Sequence, residues 1–405
     1  MPAPRSLSAQ APSPWLRLTA LAASAATLLA VVSGAAALGT AHELLSALAL
    51  PPLAAILVAA WLGHRRLVAP TLVAIVLFGT AALLTVRSVH LAAAAAAFAA
   101  TLVLTALVFR AAADGEAHAP QSARDYVTLT KPRIMTLLLL TGACGMFVGA
   151  QGVPPLGRLA AMLGGLALAC GGASALNHVL DADIDSLMGT RTRSRPVTAG
   201  RVPPSYALEF GLALSAFSFV LLAGLTNVLT AALALVGNLF YVLVYTRWLK
   251  RTTPQNIVIG GAAGAVPPLV GWAAATGDLT LPAFFLFLIV FFWTPPHFWA
   301  LALLIKREYA AARIPMLPVV RGERETVRQI VLYSVVLVGV TVVPFVWGTL
   351  GLAYLVAALV LGGGLVWLAV ALAHRTTPRR AALLFHSSLL YLALLFVAAA
   401  IDPVL

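Results

Sequence analysis

The sequence predicts an all-α protein that crosses a membrane many times, and three observations carry that prediction. Only 10% of the 405 residues are charged, where a soluble domain carries roughly 25%. Hydrophobic residues make up 61%, and the mean hydropathy is +0.98. Apolar runs of about 20 residues, the length that spans a hydrocarbon core as a helix, recur along almost the whole chain. The net charge of +13 is therefore read through membrane topology, and no nucleic-acid partner is expected. Cys144 and Cys170 both lie inside apolar runs, which argues against a disulfide framework.

Met1 to Pro14 is rich in Pro, Ser and Ala and is expected to be disordered. The run from Trp15 is too long for a signal-peptide core and carries no evident cleavage site, so it counts as a span. About thirteen spans follow in order. Four cover 15–39, 43–62, 68–86 and 90–112. Nine more cover 134–150, 158–179, 205–225, 228–246, 255–275, 281–304, 327–348, 351–373 and 381–401. Val266-Pro267-Pro268 and Thr294-Pro295-Pro296 interrupt two of them, which is tolerated where the freed backbone faces protein or a cavity. The polar stretch Ala113 to Ser122 separates the first four spans from the rest. A domain boundary is placed there, giving a 1–120 four-helix extension and a 121–405 nine-helix domain.

Lys and Arg set the orientation. With the N-terminus in the cytoplasm, 24 of the 26 fall on the inner side, and only Arg87 and Arg158 do not. The positive-inside rule expects that asymmetry. The C-terminus, at Asp402-Pro403, is then outside, and the membrane is expected to be the cell (inner or plasma) membrane.

The densest acidic stretch runs Asn177-His178-Val179-Leu180-Asp181-Ala182-Asp183-Ile184-Asp185, with Arg191, Arg193 and Arg195 behind it. Three carboxylates in five residues stand out in a chain with 13 Asp and Glu. On a helix Asn177, Asp181 and Asp185 share one face over two turns, while Asp183 points elsewhere. Like charges so spaced repel unless a cation lies among them. Mg²⁺ suits such oxygens, typically with one or two carboxylates and substrate phosphates; Mn²⁺ accepts the same ligands. The arginines offer planar donors that match phosphate oxygens. The blander reading is a solvated acidic loop at the membrane edge.

Two further segments emerge on the same face. One is Tyr245-Thr246-Arg247-Trp248-Leu249-Lys250-Arg251 with Thr252 to Asn256; the other runs from Trp293-Thr294-Pro295-Pro296-His297-Phe298-Trp299 to Lys306-Arg307-Glu308-Tyr309 and Pro315-Met316-Leu317-Pro318. Carboxylates, cations and a mixed segment together suit a diphosphate bridged by metal and clamped by cations, its apolar tail running into the helices. Singly, Lys250-Arg251 reads first as a positive-inside anchor; taken with the other two segments, it favours an anionic ligand.

These motifs resemble the protohaem IX farnesyltransferase family, within the UbiA-type intramembrane prenyltransferases. The resemblance covers about 124–405 and includes Arg191-Thr192-Arg193-Ser194-Arg195-Pro196, Leu249 to Gly261, Pro267-Pro268-Leu269-Val270-Gly271-Trp272 and Trp293 to Trp299. It implies a nine-span bundle with a central cavity, and transfer of a farnesyl group from farnesyl diphosphate to the 2-vinyl group of haem B. Asn177, Asp181 and Asp185 would then hold Mg²⁺, with Glu308 as a further ligand. Arg191, Arg195, Lys250, Arg251 and Lys306 would neutralise the diphosphate. Tyr245, Asn256, His297 and Trp299 would line the substrate cavity, with Tyr245, Trp293, Phe298 and Trp299 shielding an allylic cation. His178 and His297 are candidates to seat the haem, and equally candidates for plain helix packing.

The third segment departs from the family's Asp-Tyr-x-x-Ala-Gly-x-Pro in two places. Glu308 keeps a carboxylate at altered reach, and Arg313 replaces a small residue suited to positive φ. In the extension, His42 and His90 each begin a span, similar to one half of haem A synthase. They are either bis-axial haem ligands or interfacial histidines. On the first reading the extension binds haem, with haem A synthase as a candidate partner. Rival functions are prenyl transfer to a quinone or other aromatic acceptor, and a non-catalytic haem carrier.

Overall fold

The structure, a computed structural model, describes residues 14–35, 48–63, 67–83, scattered positions between 97 and 108, and 122–404. Among the described residues, the N-terminal part forms α1 (Pro14–Ala35), α2 (Leu50–Gly63) and α3 (Val68–Leu83), with further helical positions between 97 and 108. Their shared core holds Leu16, Leu53, Ile56 and Leu104. Hydroxyls stitch it: Ser24 Oγ lies 2.8 Å from Thr105 Oγ1, and Thr105 donates to Ala20 O at 2.9 Å. Such bonds satisfy polar groups that lipid cannot. His42 and His90 lie outside the described residues.

The remainder runs α4 (Ala123–Leu129), α5 (Pro132–Ala150), α6 (Leu156–Leu180), α7 (Ala182–Leu187), α8 (Thr190–Arg193), α9 (Pro204–Leu225) and α10 (Val228–Leu239). The tenth helix continues through a π-helical stretch, Phe240–Leu249, into a last turn, Lys250–Thr252. Then come α11 (Asn256–Thr276), α12 (Leu281–Leu304), α13 (Lys306–Ala311), α14 (Leu317–Val320), α15 (Gly322–Val346), α16 (Leu352–His374) and α17 (Pro378–Ile401). Among the described residues nine helices are long and apolar enough to cross a membrane, and their positions follow the apolar runs of the sequence.

Consecutive long helices pack on one another, and α17 returns to α5, so the nine close into a ring. The most buried are α11 and α12. Small residues let backbones approach without a hydrophobic drive between helices. A Cβ at Gly145 on α5 would stand 2.5 Å from Pro268 O, and one at Gly165 on α6 would meet Leu222 at 2.4 Å. Pro267-Pro268 and Pro295-Pro296 remain inside their helices. At the opposite end the Asp402 carboxylate caps α16 by accepting from the N–H groups of Gly351 and, at 3.1 Å, Tyr354.

Candidate functional site

The site begins at the end of α6. Asp181 is the cap between α6 and α7, yet the helical register runs through it: Asp181 N–H donates to Asn177 O at 2.9 Å and Asp185 N–H to Asp181 O at 2.8 Å. Asn177, Asp181 and Asp185 therefore do share a face, and all three are buried, at 3%, 1% and 1% exposure. Asp183 turns the other way, into solvent.

Cations converge on this face from distant parts of the chain. Lys250 Nζ is 2.6 Å from Asp181 Oδ2, and Arg195 Nη1 is 2.5 Å from Asp185 Oδ2. Arg251 grips the outward Asp183 with both guanidinium ends, at 2.6 and 2.7 Å, donates to Leu180 O, and stands 4.0 Å from Asp181 Oδ1. Asn177 Nδ2 donates to Asp181 Oδ2 at 2.7 Å and to Thr246 Oγ1 at 3.1 Å. The π-helical stretch delivers Thr246 and leads into Lys250; widened i→i+5 turns are frequent at functional sites.

Two carboxylate oxygens are left over. Asp181 Oδ1 and Asp185 Oδ1 are buried and accept no hydrogen bond, a costly condition for a carboxylate. Burial pushes the Asp185 carboxyl up despite Arg195, whereas the Arg251 hydrogen bonds hold Asp183 down. Two aligned, unsatisfied acid oxygens fit a hard divalent cation that takes its remaining ligands from phosphate or water. Among the described residues no three His, Cys, Asp or Glu side chains converge to hold a metal by themselves.

Glu308 does not join the two aspartates; its carboxyl packs on Gly189, where a Cβ would stand 2.9 Å from Cδ. Lys306 points to Glu323 at 3.3 Å. The Arg191 side chain lies outside the described residues. Tyr245 stacks on Tyr241 at 5.5 Å and fills the space that Gly260 leaves open. Asn256 is fully buried with neither amide atom bonded, as are both ring nitrogens of His178. His297 is sandwiched between Trp293 and Phe385, at 4.3 and 4.6 Å, with Nδ1 2.8 Å from Ser388 Oγ. The ring is thus held in an aromatic stack between two helices. Trp299 is buried against Tyr333. Arg313 does adopt positive φ, 54°, at a cost of about 1 kcal/mol for a non-glycine residue.

Two site residues went unread in the sequence. Tyr309 is buried, and its phenol is pushed up to about 12 by that burial, with Arg195, Glu308 and Asp181 as its nearest charges. Lys131 Nζ donates to Asn177 Oδ1 at 2.6 Å. Pro132 disfavours helical backbone at the preceding residue, and Lys131 sits at φ 50° as the N-cap of α5. Burial, reinforced by Arg195 and Lys250, pulls its ammonium down from 10.5 to about 7. Its charge is thus fully present below pH 7 and lost as pH rises through 7. Affinity for inorganic diphosphate, titrated calorimetrically from pH 6 to 8, is expected to fall several-fold across that window. In Lys131→Arg, which stays charged, the fall disappears; matching profiles in the two proteins would exclude Lys131 from the anion site.

Residues 138–396 match the model of the UbiA prenyltransferase family. A protoheme IX farnesyltransferase of Symbiobacterium thermophilum is 54% identical over 284 residues, 70% of this chain and 95% of that protein. One from Roseiflexus sp. is 48% identical over 338 residues, 78% of this chain; there the chain spans 63% of the relative's length. A solved structure of digeranylgeranylglyceryl phosphate synthase superposes with a TM-score of 0.59 at 16% identity, over 69% of this chain and 98% of that one.

Proposed function

This chain belongs to the UbiA prenyltransferase family, and from that premise we propose that it converts haem B to haem O by farnesyl transfer from farnesyl diphosphate. The observation that carries the reading is the pair of buried, unsatisfied oxygens on Asp181 and Asp185 ringed by Lys131, Lys250, Arg195 and Arg251. The acceptor follows from relatives about half identical that carry the name protoheme IX farnesyltransferase.

In the reaction the C1–O bond of farnesyl diphosphate breaks and its electron pair leaves with the diphosphate. The vinyl π pair of haem then bonds to C1, and water adds to the resulting cation and loses a proton, leaving a hydroxyethylfarnesyl side chain. Lys250, Arg195 and Lys131 neutralise charge that grows on the leaving oxygens, in a site where water is scarce and each interaction is strengthened. Asn177 orients the cluster by bonding Lys131, Asp181 and Thr246 at once. The stacked Tyr241 and Tyr245 rings offer π faces to an allylic cation and exclude early attack by water. Mg²⁺ or Mn²⁺ held by Asp181 and Asp185, with Asn177 beside them, would supply Lewis-acid stabilisation of the diphosphate.

Gly189→Ala tests Glu308 as an outer metal ligand, because its new Cβ displaces the end of a flexible carboxyl rather than backbone. Because Glu308 packs on Gly189 away from the aspartates, we expect both the unfolding temperature and the Mg²⁺ concentration for half-maximal rate to stay close to wild type. A several-fold rise in the Mg²⁺ requirement would make Glu308 an outer metal ligand after all.

The chain is an integral membrane protein; we place it in the cell membrane, and the positive-inside asymmetry favours an orientation with the site and N-terminus in the cytoplasm. The 1–120 segment we read as an accessory four-helix unit, with His42 and His90 as candidate haem ligands and haem A synthase as a candidate recipient of product. The decisive experiment combines detergent-purified protein, haem B, farnesyl diphosphate and Mg²⁺, followed by mass spectrometry of the haem. A mass gain of one farnesyl group plus one hydroxyl, the change that turns the vinyl into a hydroxyethylfarnesyl side chain, supports the reading. Unmodified haem that co-purifies points to a carrier, and farnesylation of a quinone instead points to another acceptor.

A further inference from the structure

Beyond the carboxylate cluster, on the same face of the bundle, lies a groove of about 940 Å³ between the start of α15 and the end of α16. Arg321, Arg324 and Arg328 line it, with Glu325, Val331 and Thr376. Three cations face one acid, and that acid is engaged: Glu325 accepts from Gln329 at 2.7 Å and from Arg328 at 3.4 Å. Among the described residues Arg321 and Arg324 form no ion pair.

Arg321 and Glu325 also border a second cavity of about 450 Å³, which reaches Gln255, Trp299, Gln329 and Tyr333. That volume lies within the roughly 300–1,000 Å³ of small-molecule sites. Trp299 and Tyr333 meet edge to face at 5.3 Å, and the buried Trp299 N–H has no partner. Gln255 adjoins the unbonded Asn256 and lies four residues past Arg251 of the carboxylate cluster. Arg321 and Glu325 thus stand at the border between a basic groove and an aromatic-walled cavity that reaches the elements of the active site. Arginines that only anchor a helix end reach outward to lipid headgroups and need no cavity behind them.

We infer that this groove binds the carboxylate edge of the acceptor: the two propionates of the tetrapyrrole pair with Arg321, Arg324 and Arg328, and its flat ring lies toward Trp299 and Tyr333. Arginine forks match carboxylates bidentately, and a planar aromatic ring suits the aromatic wall. The inference rests on the haem-acceptor reading above. The same chemistry, an anion on an apolar body, would also fit an anionic lipid headgroup.

The test is titration of haem, read by its Soret band, into full-length protein and into Arg321→Gln/Arg324→Gln/Arg328→Gln. Haem dimethyl ester, whose carboxylates are masked, is titrated alongside. All three arginines are exposed, and Arg324→Gln alone serves as the mildest variant. The triple variant is expected to bind haem about tenfold more weakly or worse, with the single variant between. The ester should bind both proteins alike, and farnesyl diphosphate affinity should not change. Equal haem affinity in wild type and triple variant overturns the inference, as does an equal loss of farnesyl diphosphate affinity. Nanodiscs with and without phosphatidylglycerol separate the lipid source: arginine-dependent retention of that lipid with unchanged haem affinity also overturns it. Arginine-dependent haem binding without farnesyl transfer would sink the transferase reading while upholding the groove. Transfer and haem binding that both ignore the arginines would do the reverse.

Discussion

Asp181→Asn is expected to retain about one-thousandth of wild-type haem farnesylation while unfolding within a few degrees of wild type. Asp181 joins every part of the cluster: it accepts from Asn177 and Lys250 through Oδ2, and leaves Oδ1 bare toward the anion site. The amide keeps the shape but removes the charge and one acceptor. One lost electrostatic contact at a transition state is typically worth 10²–10³-fold, and weaker metal retention adds to it. Asp181→Ala should lose as much activity and also stability, because it strands the buried Lys250 ammonium without a partner. Mass spectrometry of the haem product and thermal unfolding, run on both variants, separate the two effects. Substantial turnover in Asp181→Asn would remove this carboxylate from the chemistry.

Gly271→Ala should prevent the nine-helix ring from packing. An added Cβ would stand 1.9 Å from Gly142 O and 2.8 Å from Met146 N. Both obstacles are backbone of α5, so no side chain can turn aside and the helices must separate. Overpacking usually costs about 1–3 kcal/mol and occasionally more; a backbone clash of this size belongs at or beyond the top. Gly264→Ala, seven residues earlier on α11, meets nothing within 4 Å and is the matched control. In detergent, unfolding temperature should drop by many degrees in the first and barely move in the second. A stable Gly271→Ala protein would mean that α5 and α11 do not approach this closely.

The spans were legible because lipid imposes a single rule, that about 20 apolar residues must satisfy their backbone internally. The shared face of Asn177, Asp181 and Asp185 was equally legible, since helical periodicity fixes it locally and the backbone bonds through Asp181 preserve it. Lys250 and Arg251 were recognisable from the cationic run that follows Tyr245. Lys131 was not: next to Pro132 at the start of a span, a lysine looks like any topological anchor. Only the packing of α5 beside α6 turns it onto Asn177. His297 shows the converse: its motif drew a substrate-contact reading, and its stacking between Trp293 and Phe385 could be read only from the fold.

The sequence by itself determined the membrane class, the long apolar helices of the main bundle and the carboxylate face, because each depends on composition or on residues within two helical turns. The tertiary structure alone decided which cations meet which acids, that Glu308 rests on Gly189 instead of joining the aspartates, and that Arg321 lines two neighbouring cavities. Apart from Arg195 with Asp185, those pairings join residues dozens of positions apart, and their geometry comes from how closely glycine-lined helices approach, a quantity that no local periodicity encodes.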